Sequence, residues 1–233
     1  VVVAVFCYLL VQIINYQRAQ EYRESLTDGI SYVISEGVAR QPEKQQKLDW
    51  ISDASNLLEL PIYYVDAARV ELSRTERKRI AEQKSVVRYD ANNGIGYIII
   101  GLKDDPKHFL YIKVDKIGER QMKALPIFVL DYLIFYPGQE REYLEKIKKH
   151  FYYPIDILDI REINLDSEQI GRLRQDQSVL LYKDSATVRG TTISIVSPMP
   201  NHPAQVLVLG PVPMFNWMPF QLSAGITLFS LFL

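Results

Sequence analysis

The 233-residue chain holds one cysteine, Cys7, and three histidines. A single thiol excludes intrachain disulfides, and so few His and Cys exclude the usual zinc clusters. Cys7 lies in an apolar N-terminal run, so the polar body is indifferent to the redox state of its compartment. A dominant charge is lacking too. Lys and Arg total 27 against 28 Asp and Glu, a net charge of -1 that leaves no broad footprint for nucleic acid. A phosphate-cradling loop is absent: Gly94-Ile95-Gly96 has neither a third glycine nor a lysine and falls in a hairpin. Ser, His and Asp occur without a nucleophile-elbow pattern. The expectation is therefore a segment without catalytic, cofactor-binding or metal-binding residues.

What is present is 48% hydrophobic and 24% charged, the balance of a folded protein with ample core. The length suits one large domain or two of about 100 residues. Residues 1–16, VVVAVFCYLLVQIINY, carry no charge. A membrane span needs about 20 such residues. Starting without Met, and without the basic start and cleavage site of a secretory signal, the run reads as the end of a first transmembrane helix. Residues 217–233, WMPFQLSAGITLFSLFL, are also uncharged, so residues 214–233 read as the start of a second. Phe215 and Trp217 suit the head-group region, and Arg18 the boundary of the first span. Buried terminal helices are the competing reading. Uncharged runs of this length at both ends disfavour it.

Residues 17–42 read as a juxtamembrane stalk helix. Tyr22, Leu26, Ile30, Val33 and Gly37 recur at helical spacing, Gly29 and Gly37 weaken the helix, and Pro42 punctuates it. An amphipathic stripe cannot name its partner. It either packs on its own domain or pairs with its twin as the seam of a homodimer.

The middle of the chain repeats itself. Pro61-Ile62-Tyr63-Tyr64-Val65-Asp66 recurs 93 residues later as Pro154-Ile155-Asp156-Ile157-Leu158-Asp159. Leu72 then matches Leu165, Ile80 matches Leu173, and Tyr89 matches Tyr182. Small gaps later bring His108 opposite His202. Each unit reads helix, strand, helix, three strands, with Ser73 and Glu76 as a capping box and Asn93-Gly94 in a hairpin turn. The predicted class is α+β, with two tandem similar sensor modules at residues 43–116 and 139–213. The apolar connector 117–138 carries Asp131 and is too short for a third span. It reads as a core helix.

Two modules of this order ending in Gly210-Pro211-Val212-Pro213, just before an apolar run, resemble the sensor region of RstB-type two-component sensor histidine kinases, in particular the BfmS-like group. The smaller members carry one module between the spans, whereas this chain has two. The resemblance implies an inner-membrane receptor of bacterial origin with residues 17–216 in the periplasm. It implies a homodimer, a periplasmic ligand or accessory protein as input, and a response regulator as output partner. The phosphorylated histidine and the ATP-binding kinase domain would lie beyond Leu233, so His108, His150 and His202 are not their counterparts. Signal coupling falls to Tyr22, Leu26, Ile30 and Val33 on the stalk and to Gly210, Pro211 and Pro213 at the exit, read as a stiff joint or a plain strand terminator.

The remaining polar residues have plain readings. Asp104, Asp105 and His108, opposite Asn201 and His202, could sense a metal or protons but read as solvated loop. Arg74, Arg77, Lys78 and Arg79 among glutamates read as a solvated helix face. Tyr63, Tyr64, Tyr152 and Tyr153 line a groove or close a sheet edge. Asp66/Asp159 and Tyr89/Tyr182 read as scaffold. Two other functions fit the same layout: another two-span receptor such as a chemoreceptor or cyclase, and a membrane-tethered periplasmic scaffold.

Overall fold

The computed structural model describes residues 2–90, 93–115, 118–185 and 190–213, with residues 2–16, 18, 19, 184, 185, 190, 191 and 213 described by their backbone. The order of elements is α1 (Val2–Ala39), α2 (Lys44–Leu58), β1 (Ile62–Asp66), α3 (Arg74–Ala81), β2 (Val86–Asp90), β3 (Ile95–Gly101) and β4 (His108–Val114). It continues with α4 (Glu119–Ile134), α5 (Glu140–Lys148), β5 (Ile155–Asp159), α6 (Ser167–Leu173), β6 (Val179–Ser185), β7 (Gly190–Met199) and β8 (His202–Pro213). The class is mixed α+β.

Two four-stranded antiparallel sheets carry the same strand order, β1-β4-β3-β2 and β5-β8-β7-β6. Local chemistry repeats with them. Asp66 accepts a hydrogen bond from the Ala68 N–H and Asp159 from the Arg161 N–H, each opening a 3-10 turn after its strand. Ser73 and Asp166 each cap the following helix in a capping box with Glu76 and Gln169. The outer face of the first sheet buries Val86, Ile99 and Phe109 beneath Leu72 and Ile80. That of the second buries Val179, Val196 and Val206 beneath Leu165 and Leu173. Tyr89 and Tyr182 take no part in either cluster. They are 48% and 59% exposed, on the strand faces they share with Val87 and Leu180 rather than those of the two clusters.

The inner faces share one core. It runs from α1 through α2, α4 and α5 to both sheets. Within α4, Ala124, Phe128, Val129, Leu130, Tyr132 and Leu133 are buried, so the connector is a core helix. Helix α1 is one unit from Val2 to Ala39, and Gly29 and Gly37 do not break it. Both glycines are sites of close approach. A Cβ at Gly29 would fall 2.5 Å from the Phe151 ring, and one at Gly37 would fall 2.4 Å from Trp50. Helical residues with no side chain let aromatic rings lie directly on the α1 backbone.

This packing bears on the stripe of α1, read either as packed on its own domain or as a dimer seam. Ile30 and Val33 are 7% and 2% exposed inside the chain's own core, so that part of the stripe is not an open dimer seam. Glu24, on a different face of α1, is buried as well. Among the described residues no helix is long and apolar enough to cross a membrane. The stretch read as a second span, 214–233, lies outside the described residues.

The exit stretch differs from a strand terminator. Strand β8 runs on through Gly210-Pro211-Val212-Pro213, pairing Val212 with Ile193 and Pro213 with Thr192. Between the Ile195–Leu209 and Ile193–Val212 pairs, Ser194 alone faces Gly210 and Pro211, which is a β-bulge. Prolines are tolerated because β5 ends its ladder at Leu209, leaving this end of β8 paired on one side only.

Candidate functional site

Helix α1 is fixed to the first sheet by a partly buried polar cluster. Arg79 turns inward from α3, donating from Nη2 to Asp28 at 3.0 Å and from Nε to the Ser85 carbonyl at 2.8 Å, with Glu24 at 3.2 Å. Asp28 also accepts from the Ser85 N–H at 2.9 Å and the Ser85 hydroxyl at 2.8 Å. Thr27 Oγ1 lies 2.7 Å from Ser85 Oγ. The basic run is therefore divided. Arg74, Arg77 and Lys78 are exposed as expected, while Arg79 is a structural cation. The missed signal was Arg79 and Ile80 side by side before a short strand, where the inward face of α3 has to meet α1.

Glu76 is also more than a solvated carboxylate. Its Oε1 accepts from Arg88 Nε at 2.8 Å, and its Oε2 from the Ser73 N–H at 2.7 Å. The Arg88 bond, helped by the cap and opposed by burial, brings its carboxyl from 4.5 to about 2. A group depressed on folding stabilises above its unfolded pKa and loses that contribution as pH falls through the folded one. Glu76→Gln is thus expected to melt below the wild type at neutral pH, with the gap closing between about pH 4.5 and about pH 2. Thermal melts across that range check this, and a gap independent of pH would refute the ion pair's role.

The loop read as a possible metal or proton sensor is brought together with Tyr64. His108 stacks on the Tyr64 ring at 4.3 Å, and His108 Nδ1 lies 2.9 Å from Asp105. The Tyr64 hydroxyl donates to Asp105. Burial, then this bond, pushes the Tyr64 phenol up to about 12. Burial alone would raise the Asp105 carboxyl, but the bonds from Tyr64 and His108 outweigh it and hold it below the ordinary carboxylate value. Among the described residues no group of three His, Cys, Asp or Glu is placed to hold a metal ion. His150 lies elsewhere, stacked on Tyr32 at 3.6 Å, with burial and then Lys149 holding its pKa down. His202 is exposed.

The most distinctive site is a cavity of about 440 Å³ between α1 and the inner faces of the two sheets. Helix α1 contributes Tyr22, Leu26, Ile30 and Ile34; the first sheet Ile98, Ile112 and Val114; the second Ile193, Ile195 and Val212. The ends of α2 and α4 close it with Leu58, Leu60, Met122 and Leu125. Among the described residues, those lining it with a polar group are Tyr22, Arg23, Thr27, Ser31, Gln121 and Tyr153. Three of the four stalk residues predicted to couple signal line this cavity, as does Val212 between Pro211 and Pro213. Val33 does not line it and sits in the core. The tyrosines at the strand openings divide. Tyr153 is buried at the cavity, while Tyr63 and Tyr152 are 51% and 61% exposed, Tyr152 lying edge-on to Tyr22 at 6.2 Å. No protein-family model matches the chain, and no curated protein matches it.

Proposed function

We propose that the chain is the extracytoplasmic signal-sensing region of an inner-membrane two-component sensor histidine kinase. In this reading the two sheets and their helices are tandem copies of one sensor module. Residues 1–16 and 214–233 belong to the flanking spans, residues 17–216 lie in the periplasm, and the receptor acts as a homodimer. One observation carries it. Helix α1, continuous with the first apolar run, and Val212, next to the second, line the same cavity. Whatever fills that cavity touches both elements attached to the apolar ends.

The mechanism follows from linkage. A ligand shifts an equilibrium only by its differential affinity for two arrangements. The Arg79 cluster holds α1 to the first sheet, so the movable relation is between that unit and the end of β8. Filling the cavity would favour one spacing of α1 and Val212, and the second span would carry the change to an ATP-dependent kinase domain beyond Leu233 and from there to a response regulator.

Single cysteines at Asn93 and Gln175, both exposed, test the topology in a Cys7→Ser background. Each is expected to react with an impermeant thiol reagent in intact cells whose outer membrane has been permeabilised. Reaction at either site only after lysis would place that module on the cytoplasmic side and end this reading.

A further inference from the structure

We propose that the cavity between α1 and the two sheets binds a long-chain carboxylate, its tail along α1 and its head group at Arg23. This names the ligand class of the sensor reading and rests on that reading only for what binding would signal. The volume, about 440 Å³, is in the range of small-molecule sites. The lining residues of α1 run from Tyr22 to Ile34, roughly 18 Å of helix at its ordinary rise, so the site is long rather than round. Its walls are chiefly Ile, Leu, Val and Met, which favour an apolar tail over water. A partner helix, about 10 Å across with its side chains, needs a far larger groove.

The polar groups select the head. Among the described residues no carboxylate lines the cavity, and Arg23 is its only charged side chain. Its neighbour Glu24 belongs to the Arg79 cluster. Arg23 meets the Tyr89 ring at 5.4 Å and has no carboxylate partner among the described residues. Tyr153 is 7% exposed, its hydroxyl makes no hydrogen bond among the described residues, and the phenol is kept neutral because burial pushes its pKa up. A hydroxyl bordering the cavity without a protein partner favours a ligand that brings a hydrogen-bonding oxygen. An anionic head at Arg23 with an apolar tail along α1 suits both the cation and the walls.

The test uses the full chain in phosphatidylcholine nanodiscs and palmitate bearing a photoreactive diazirine on its tail. Labelling is expected to saturate and to map to peptides containing Leu26, Ile30 or Ile195. Unlabelled palmitate should displace it, and palmityl alcohol should compete far less well. Arg23→Gln should weaken competition by palmitate about tenfold or more, since a charge-assisted contact is lost, and leave the alcohol nearly unchanged. Leu26→Trp, which fills the cavity, should abolish labelling in protein that still melts cooperatively; Ile195→Phe serves if that variant does not fold. Labelling confined to residues 1–16 and 214–233, or not displaced by palmitate, would overturn the site. Equal competition by acid and alcohol in the wild type would overturn the head group, and displacement by lysophosphatidylglycerol alone would assign a phospholipid instead. None of these outcomes alters the cysteine topology result, so the two readings fail separately.

Discussion

Arg79→Leu is expected to destabilise the chain by about 3 kcal/mol or more at neutral pH, among the largest effects of any single substitution. The Arg79, Glu24 and Asp28 side chains are only 21%, 12% and 15% exposed. Removing the cation leaves two carboxylates facing each other across one turn of α1 with little water. That penalty, rather than the worth of the pair itself, sets the size of the loss. Asp28 would keep its bonds from Ser85, but Glu24 would keep, among the described residues, only the amide of Gln20, at 2.9 Å. In a protein of this length the change corresponds to a melting temperature lower by roughly 6–12 °C. Arg77→Leu, one helix position pair away and exposed, should stay within about 0.5 kcal/mol. Arg79→Lys should recover only part of the loss, because an ammonium cannot serve Asp28, Glu24 and the Ser85 carbonyl together in the planar geometry of a guanidinium. Equal melting of the Arg77 and Arg79 variants would show that the cluster does not hold α1 to the first sheet.

The contrast between those arginines also shows where sequence reading stops. Strand and helix placement was legible because it depends on local signals. Equivalent strands pair, Ile62 with Ile112 and Ile155 with Leu209, but Asp159 faces Gln205 where Asp66 faces His108, so the match of His108 with His202 does not hold. The Ser73 capping box forms as its spacing implies. Other features depend on which element comes to lie across the space. Arg79 looks like its exposed neighbours until α1 is set against α3. Gly29 and Gly37 look like helix weaknesses until Phe151 and Trp50 press on them. The cavity was the least legible feature. Its walls come from α1, α2, α4 and both sheets, and an isoleucine bordering empty space has the same sequence signature as one in close-packed core. Tyr22, Leu26 and Ile30 were found by period alone, but the stripe pattern could not say that they face a cavity inside the chain rather than a twin helix.

Gly210→Ala is the second large effect, about 3 kcal/mol or more, and it bears on the path from cavity to exit. The residue has φ +112°, a region that side chains with a Cβ rarely enter. The added Cβ would fall 2.7 Å from the Ile193 carbonyl oxygen, 3.0 Å from the Val212 nitrogen and 3.1 Å from the Ser194 Cα. All three are backbone atoms of the β7–β8 bulge, so no side chain can rotate aside and the ladder itself has to shift. The Gly210 N–H donates to the Pro154 carbonyl at 2.7 Å, tying the bulge to the residue that opens β5. Displacing it would disturb β5, β7 and β8 together. Gly171→Ala in α6 gives the opposite sign. Nothing lies within 4 Å of a Cβ there, and Ala in place of Gly within a helix gains about 0.5–1 kcal/mol. Melting of both variants against the wild type checks the pair, and a Gly210→Ala protein as stable as Gly171→Ala would mean the bulge is not formed as described. The same geometry sets the expectation for the joint. Val212 lines the cavity and pairs with Ile193 immediately beyond the bulge, while Pro211 and Pro213 restrict φ on either side of it. Replacing both prolines by glycine should leave the melting temperature within a few degrees of the wild type, since that end of β8 is paired on one side only. In the intact receptor the same double variant should lose its response to the input. Normal signalling by it would move the coupling from the end of β8 to α1.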